Sequence, residues 1–186
     1  MFNTNIWEGE CLILDSDIES VMVNISVFLN GTYYVRIDYM FDDTLNSYFT
    51  AFFIPLKEFY FLLSKVNYWY EKAITNGIKD PFLHKEITNT NLNIYTKNLS
   101  GVIFEDNENI NIRFSFVFSG IDNSALLVNN SYYGDVKLDP IGLSINTIQF
   151  LLDELSENNL KLLYNNFKNL EKEKEKREKE INDFFD

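Results

Sequence analysis

The chain has 186 residues, long enough to bury a real core, with 46% hydrophobic and 16% aromatic residues. It carries 16 Lys+Arg against 28 Asp+Glu, a formal net charge of -12, with one Cys (Cys11) and one His (His84). These counts exclude a disulfide framework and a Cys/His zinc cluster, and they leave a histidine-based catalytic dyad a single candidate.

The charge is unevenly spread. Residues 1–50 hold eight acids and one base, Arg36, whereas Lys168 to Asp186 hold six bases and seven acids. The conspicuous charged tail is therefore nearly neutral, and the N-terminal part is the acidic one.

Taken in chain order, Cys11 to Asp15 reads as a first strand. Val21 to Asn30 alternates, with Val21, Val23, Ile25 and Val27 on one face, as a half-buried strand does. Asn30-Gly31 predicts a two-residue hairpin loop before Thr32 to Phe41. Ser47 to Ile54 is the next strand. Leu56, Phe59, Leu63, Val66, Tyr70 and Ile74 then recur at helical spacing, with Pro55 at the start and Asn76-Gly77 as the stop. Lys79 to Asn91 reads as a connector. Further strands are expected at Leu92–Lys97, Val102–Glu105 and Ile110–Phe118, with Asp106 to Asn109 as a turn. Ala125 to Val128 is a short strand, and Val136 to Leu143 is a last one broken by Pro140. Ser144 is placed to cap a helix carrying Ile148, Leu151, Leu152 and Leu155. Asn158-Asn159 bends or ends that helix. The stripe resumes at Leu160, Leu163, Phe167 and Leu170, vanishes over Glu171 to Glu180, and returns at Ile181, Phe184 and Phe185.

The expected fold is α+β: a largely antiparallel sheet of about six to eight strands, packed by one inner helix and a long, bent C-terminal helix. Strands then helix occurs twice. Residues 1–170 form a single domain, and 171–186 form a charged helical extension.

No enzyme motif stands out. His84 lies in the connector with no nucleophile motif near it. Cys11 follows Glu8 and Glu10, which raise a thiol pKa rather than lower it. The acidic run at Glu105, Asp106 and Glu108 lacks the alternating ligands and glycine of a calcium loop. No glycine-rich phosphate loop is present. No cofactor and no metal are expected, and the protein is read as a non-enzyme. An acidic body argues against direct nucleic-acid binding. No apolar window is long enough for a membrane helix and no secretory leader is visible, so a cytoplasmic protein is expected, in a bacterial host or a phage-infected cell.

Aromatics crowd the stretch from Tyr33 to Tyr70, more than one sheet face and one helix stripe bury, so either some of them are exposed for an interface or a second layer covers them in a two-sided core. Small size, acidity, aromatic excess and the lack of a catalytic motif together resemble the profile of small acidic immunity proteins and phage anti-defence proteins, anti-CRISPR proteins included. The resemblance is one of composition and architecture and carries over no family residue. It implies an acidic inhibitor of a protein partner with a basic surface, a nuclease or nucleic-acid-binding effector. The candidate contacts are Asp15, Asp17, Glu19, Asp38, Asp42 and Asp43. A second reading is an assembly module that docks through Phe184 and Phe185. A third is a carbohydrate- or small-ligand-binding protein with an aromatic-lined pocket.

Overall fold

The computed structural model describes residues 2–13, 20–29, 33–42, 47–78, 83–98, 103–118, 125–130 and 141–185. Eight strands close into an antiparallel barrel in which each strand pairs with its sequence neighbours and the last pairs with the first. They are β1 (Phe2–Ile13), β2 (Ser20–Leu29), β3 (Tyr33–Asp42), β4 (Ser47–Pro55), β5 (Leu83–Asn98), β6 (Ile103–Phe118), β7 (Ala125–Asn130) and β8 (Ile141–Ser144). Helix α1 (Leu56–Thr75) follows β4, and α2 (Ile145–Glu154) follows β8, so four strands and a helix occur twice. Helix α3 (Glu157–Phe185) ends the chain. The fold is α+β and mainly antiparallel, as the sequence implies. The chain divides into two compact units, Met1–Leu152 and Asp153–Asp186.

Alternation sets the inward face. Val23, Ile25 and Val27 of β2 are buried, as are Val35 and Ile37 of β3 and Phe52 and Ile54 of β4. In β6 Ile112, Phe114, Phe116 and Phe118 are buried on this face, and Ser115 and Val117 are buried on the other. Leu126, Val128 and Leu143 complete the set on β7 and β8. The interior of an eight-stranded barrel is just wide enough for side chains to fill. Here α1 shares the filling, since it packs against β3 and β4 and also against β6 and β7. Its Phe59, Leu62, Leu63 and Val66 are buried, and its Trp69 and Tyr70 rings lie 5.9 Å from Phe116 and 6.4 Å from Phe118.

Helix α1 starts after Pro55, whose extended backbone (ψ 132) leads into the first turn. It stops where expected. Gly77 takes φ 59, Ile78 N–H donates to the Ala73 carbonyl at 3.0 Å, and Gly77 N–H donates to the Ile74 carbonyl at 3.0 Å. This 6→1 and 5→2 pair is a Schellman stop, which needs a left-handed residue at that glycine. The expected stripe is right at Leu56, Phe59, Leu63 and Val66 but wrong at Ile74, which is 39% exposed; Leu62 and Ala73 are buried instead. The buried face thus runs through 59, 62/63, 66 and 73, and position 74 falls just past its edge.

Four other expectations need correction. The Lys79–Asn91 connector is strand from Leu83 onward, because β6 supplies a partner for every pair from Leu83↔Phe118 to Leu92↔Ile110, with one irregularity between Glu86 and Thr88. The turn at Asp106–Asn109 lies inside β6; the ladder jumps from Leu92↔Ile110 to Ile94↔Asn107, so a bulge takes up the polar residues without ending the strand. β1 extends far beyond Cys11 toward the N-terminus, since it pairs with β2 from Phe2↔Leu29 onward. The Leu29↔Tyr33 pair leaves three residues between the ends of the hairpin, one more than a two-residue loop. Asn30-Gly31 itself lies outside the described residues, as do 131–140, and β8 begins just after Pro140.

Ser144 caps α2 as expected: its Oγ accepts from Thr147 N–H at 3.2 Å. Gln149 of α2 donates to Asn67 of α1 at 3.1 Å. Ile145, Ile148 and Leu151 are buried. The break before α3 comes at Leu155–Ser156, earlier than Asn158-Asn159. Ser156 Oγ accepts from Asn159 N–H at 3.4 Å, and the Asn159 side chain donates to the Asp153 carbonyl at 2.9 Å. A serine is well suited to capping, so it takes the start of the new helix.

Within the second unit, α3 begins with Glu157 paired to Lys161 one turn on, at 2.6 Å. The hydrogen bond from Lys161, then its charge, holds the Glu157 carboxyl below the ordinary carboxylate value. A carboxyl lowered in the folded state favours folding above its unfolded pKa, and that contribution is lost as pH falls through the folded value.

Candidate binding surface on α1 and β5

The residues expected to meet a partner fall in three places. Asp15, Asp17, Glu19 and Asp43 lie outside the described residues. Asp38 and Asp42 lie on β3, where Asp38 pairs with Asn24 of β2 and Ala51 of β4, and Asp42 pairs with Ser47. Phe184 and Phe185 are the last residues of α3, in the second unit.

The aromatic excess divides between core and surface. Phe52 and Phe59 are fully buried. Tyr60, Phe61 and Tyr68 are exposed on α1, Phe61 and Tyr68 by 52% and 56%. Phe61, Tyr68 and the half-buried Trp69 carry lysines. Lys65 Nζ lies 5.3 Å from the Phe61 ring centre and 5.5 Å from that of Trp69. Lys85 of β5 lies 4.5 Å from the Trp69 ring, and Lys72 lies 5.8 Å from Tyr68. Such contacts are worth roughly 0.5–1 kcal/mol at exposed sites. Among the described residues none of these three lysines forms an ion pair. A lysine-bearing aromatic face thus stands on a chain whose total charge is -12.

Beside this face is a cleft of about 320 Å³. Ile54, Glu58, Phe61 and Leu62 line one wall, and Thr88, Asn89 and Thr90 of β5 line the other. It exists because β4 and β5 stay paired only from Tyr48↔Asn98 to Phe52↔Ile94. Beyond that point the chain leaves β4 to form α1, while β5 runs on with β6 alone. Over Leu83–Leu92, no described strand pairs with β5 on the β4 side. Cross-strand partners share a face, so Lys85, Thr88 and Thr90 are on the side of Phe116, Phe114 and Ile112, turned toward α1. His84 is exposed.

Sequence reasoning did not find this surface. The spacings Phe61–Lys65–Trp69 and Tyr68–Lys72 are visible as four-residue steps on one helix. Lys85 carries no such signal, because its place beside Trp69 depends on β5 starting where a connector was expected.

Among the described residues no group of three or more His, Cys, Asp or Glu side chains is placed to hold a metal ion. No helix of the described residues is long and apolar enough to cross a membrane. No protein-family model matches the chain, and neither the characterised proteins nor the solved structures include a match to it.

Proposed function

We propose that the protein is a non-enzymatic, cytoplasmic binding protein that engages and blocks a protein partner with a basic surface, of the nuclease or nucleic-acid-binding kind. The observation that carries this reading is that the described part of the acidic first 50 residues forms antiparallel strands, β1 to β4, with one register irregularity between Asn5 and Trp7. Of the candidate contacts, Asp38 and Asp42 hold fixed register positions on this ladder, which lowers the ordering cost of meeting a complementary partner. Exposed Tyr and Phe on α1 add the residue types that dominate protein interfaces.

The test uses the full chain as bait in its native host or phage-infected cells, followed by identification and purification of the captured partner. Asp15, Asp17, Asp38, Asp42 and Asp43 are then changed to Asn, and Glu19 to Gln. Association at low salt is expected to slow by about tenfold or more, since steering charges act mainly on the on-rate. An unchanged on-rate, or a partner with no basic surface, overturns the reading.

A second reading is favoured by α3, where Leu162 and Leu170 are 60% and 64% exposed on a continuous helix. Apolar side chains so displayed suit assembly through the helix. Changing Leu162 and Leu170 to Ser together with deleting residues 171–186 is expected to abolish an assembly function and to leave acid-driven blocking within about twofold. Size-exclusion chromatography with light scattering and the same binding assay separate the two.

A further inference from the structure

We propose that the groove between α1 and the unpaired half of β5 takes an extended, acidic segment of a partner protein as an added strand. This goes beyond the acidic-surface reading, since the groove is a second, separate surface that takes an acidic rather than a basic segment.

Three independent observations converge here. First, Leu83–Leu92 is hydrogen-bonded to β6 on one side and has no described strand on the other. An exposed edge is a ready template for another strand, and natural proteins usually cover or blunt it. Second, the edge is one wall of a cleft whose other wall is a helix. Addition to a sheet edge draws affinity from main-chain hydrogen bonds and specificity from side-chain pockets. The cleft supplies such a pocket, with Phe61 and Leu62 as its apolar wall and Thr88 and Thr90 opposite, the Thr88 hydroxyl donating to the Asn89 carbonyl and so left to accept.

Third, the groove is charged at one end. Along α1 the order is Glu58, then Phe61 and Leu62, then Lys65 and Trp69. Along β5 the matching order is Thr90, Thr88, then Lys85. The two walls thus run antiparallel and bring two lysines together over the Trp69 ring. Neither lysine has a carboxylate partner among the described residues. The bound segment therefore places an apolar side chain at Phe61 and Leu62 and carboxylates at the Lys65–Lys85 end.

Single-stranded nucleic acid fits less well. Strand stacking needs open ring faces within a positive groove. Here Trp69 and Phe61 already have ammonium groups over them, and Glu58 lines the cleft.

The experiment uses the full chain and a capped probe peptide of about eight residues, a common strand length. The probe alternates glutamate and valine around a central phenylalanine, and its counterpart has lysine in place of every glutamate. Two-dimensional NMR follows the Leu83–Leu92 amides and the Trp69 indole N–H during titration. The acidic probe is expected to shift these signals and slow exchange of the edge amides. The lysine counterpart is expected to bind at least about tenfold more weakly. Lys65→Glu with Lys85→Glu is expected to weaken the acidic probe about tenfold or more, while Lys174→Glu on α3 leaves it unchanged. Should the double reversal fail to fold by circular dichroism, Lys65→Gln with Lys85→Gln gives the same direction with a smaller loss.

Several results overturn the proposal. They are no binding up to about 1 mM probe, equal binding of both probes, or binding insensitive to the lysine changes. Tighter binding of an oligothymidine than of the acidic probe also overturns it. So does edge protection that grows with protein concentration in the absence of probe, which assigns the edge to a second copy. Because the probe needs no natural partner, its failure leaves the acidic-surface reading standing. An unchanged on-rate with acids neutralised leaves the groove standing.

Discussion

Replacing Phe59 with alanine is expected to cost roughly 3–5 kcal/mol of stability, the usual range for a buried aromatic removed from a tight core. Phe59 has no exposed surface and stands in the first turns of α1, which packs against strands on both sides of the barrel. No single neighbouring side chain can collapse into a hole bordered by several elements, so the cavity term adds in full to the lost burial. Phe61→Ala, two residues on, is the matched control. Its ring is 52% exposed, and its loss should cost under about 1 kcal/mol. Urea denaturation of both variants reads the contrast directly. A Phe59→Ala loss near that of Phe61→Ala would mean that α1 does not fill the barrel.

Hydrogen exchange along β5 should be sharply uneven. From Ile94 to Lys97 the strand has β4 on one side and β6 on the other. From Leu83 to Leu92 it has β6 alone, so amides directed to the open side have no acceptor among the described strands. Local opening free energies run from near zero at such sites to the global value in the core. Exchange rates of open-side amides are expected to exceed those of their β6-directed neighbours by about a hundredfold or more. Residue-resolved exchange in the free protein decides it. Uniform protection from Leu83 to Asn98 would show the edge to be covered.

Much of this fold is readable from side-chain periodicity. The faces of β2 and β6 follow from alternation, and α1 ends at Asn76-Gly77 because only a left-handed residue completes that stop. The two-part rhythm of strands and helix also appears in the sequence. What periodicity misses has a common cause. Lys85 to Asn91 and Asp106 to Asn109 are polar runs that look like loops, yet they are strand because each finds a partner across the ladder. Strand propensity measures fit to a half-buried surface, and these residues lie where the surface is partly wet. Closure of the barrel is equally invisible, since among the described residues it is made by the Leu12↔Gly142 and Ile13↔Ile141 pairs, far apart in sequence. The candidate surface was half legible: the aromatic excess allowed for exposed rings, while the lysines over them needed the path of β5.

That closing seam has a consequence for how the chain reaches this state. Every other strand pair joins sequence neighbours, so most of the barrel can zip up locally and quickly. The β1–β8 pair must instead bring together the two ends of the first unit. The entropy of closing so long a loop must be met before the pair returns any energy. Closure is therefore the late step of folding, and the same seam is the first to open on unfolding. A transition-state analysis by mutation should place β1–β8 near zero and β2–β3–β4 higher.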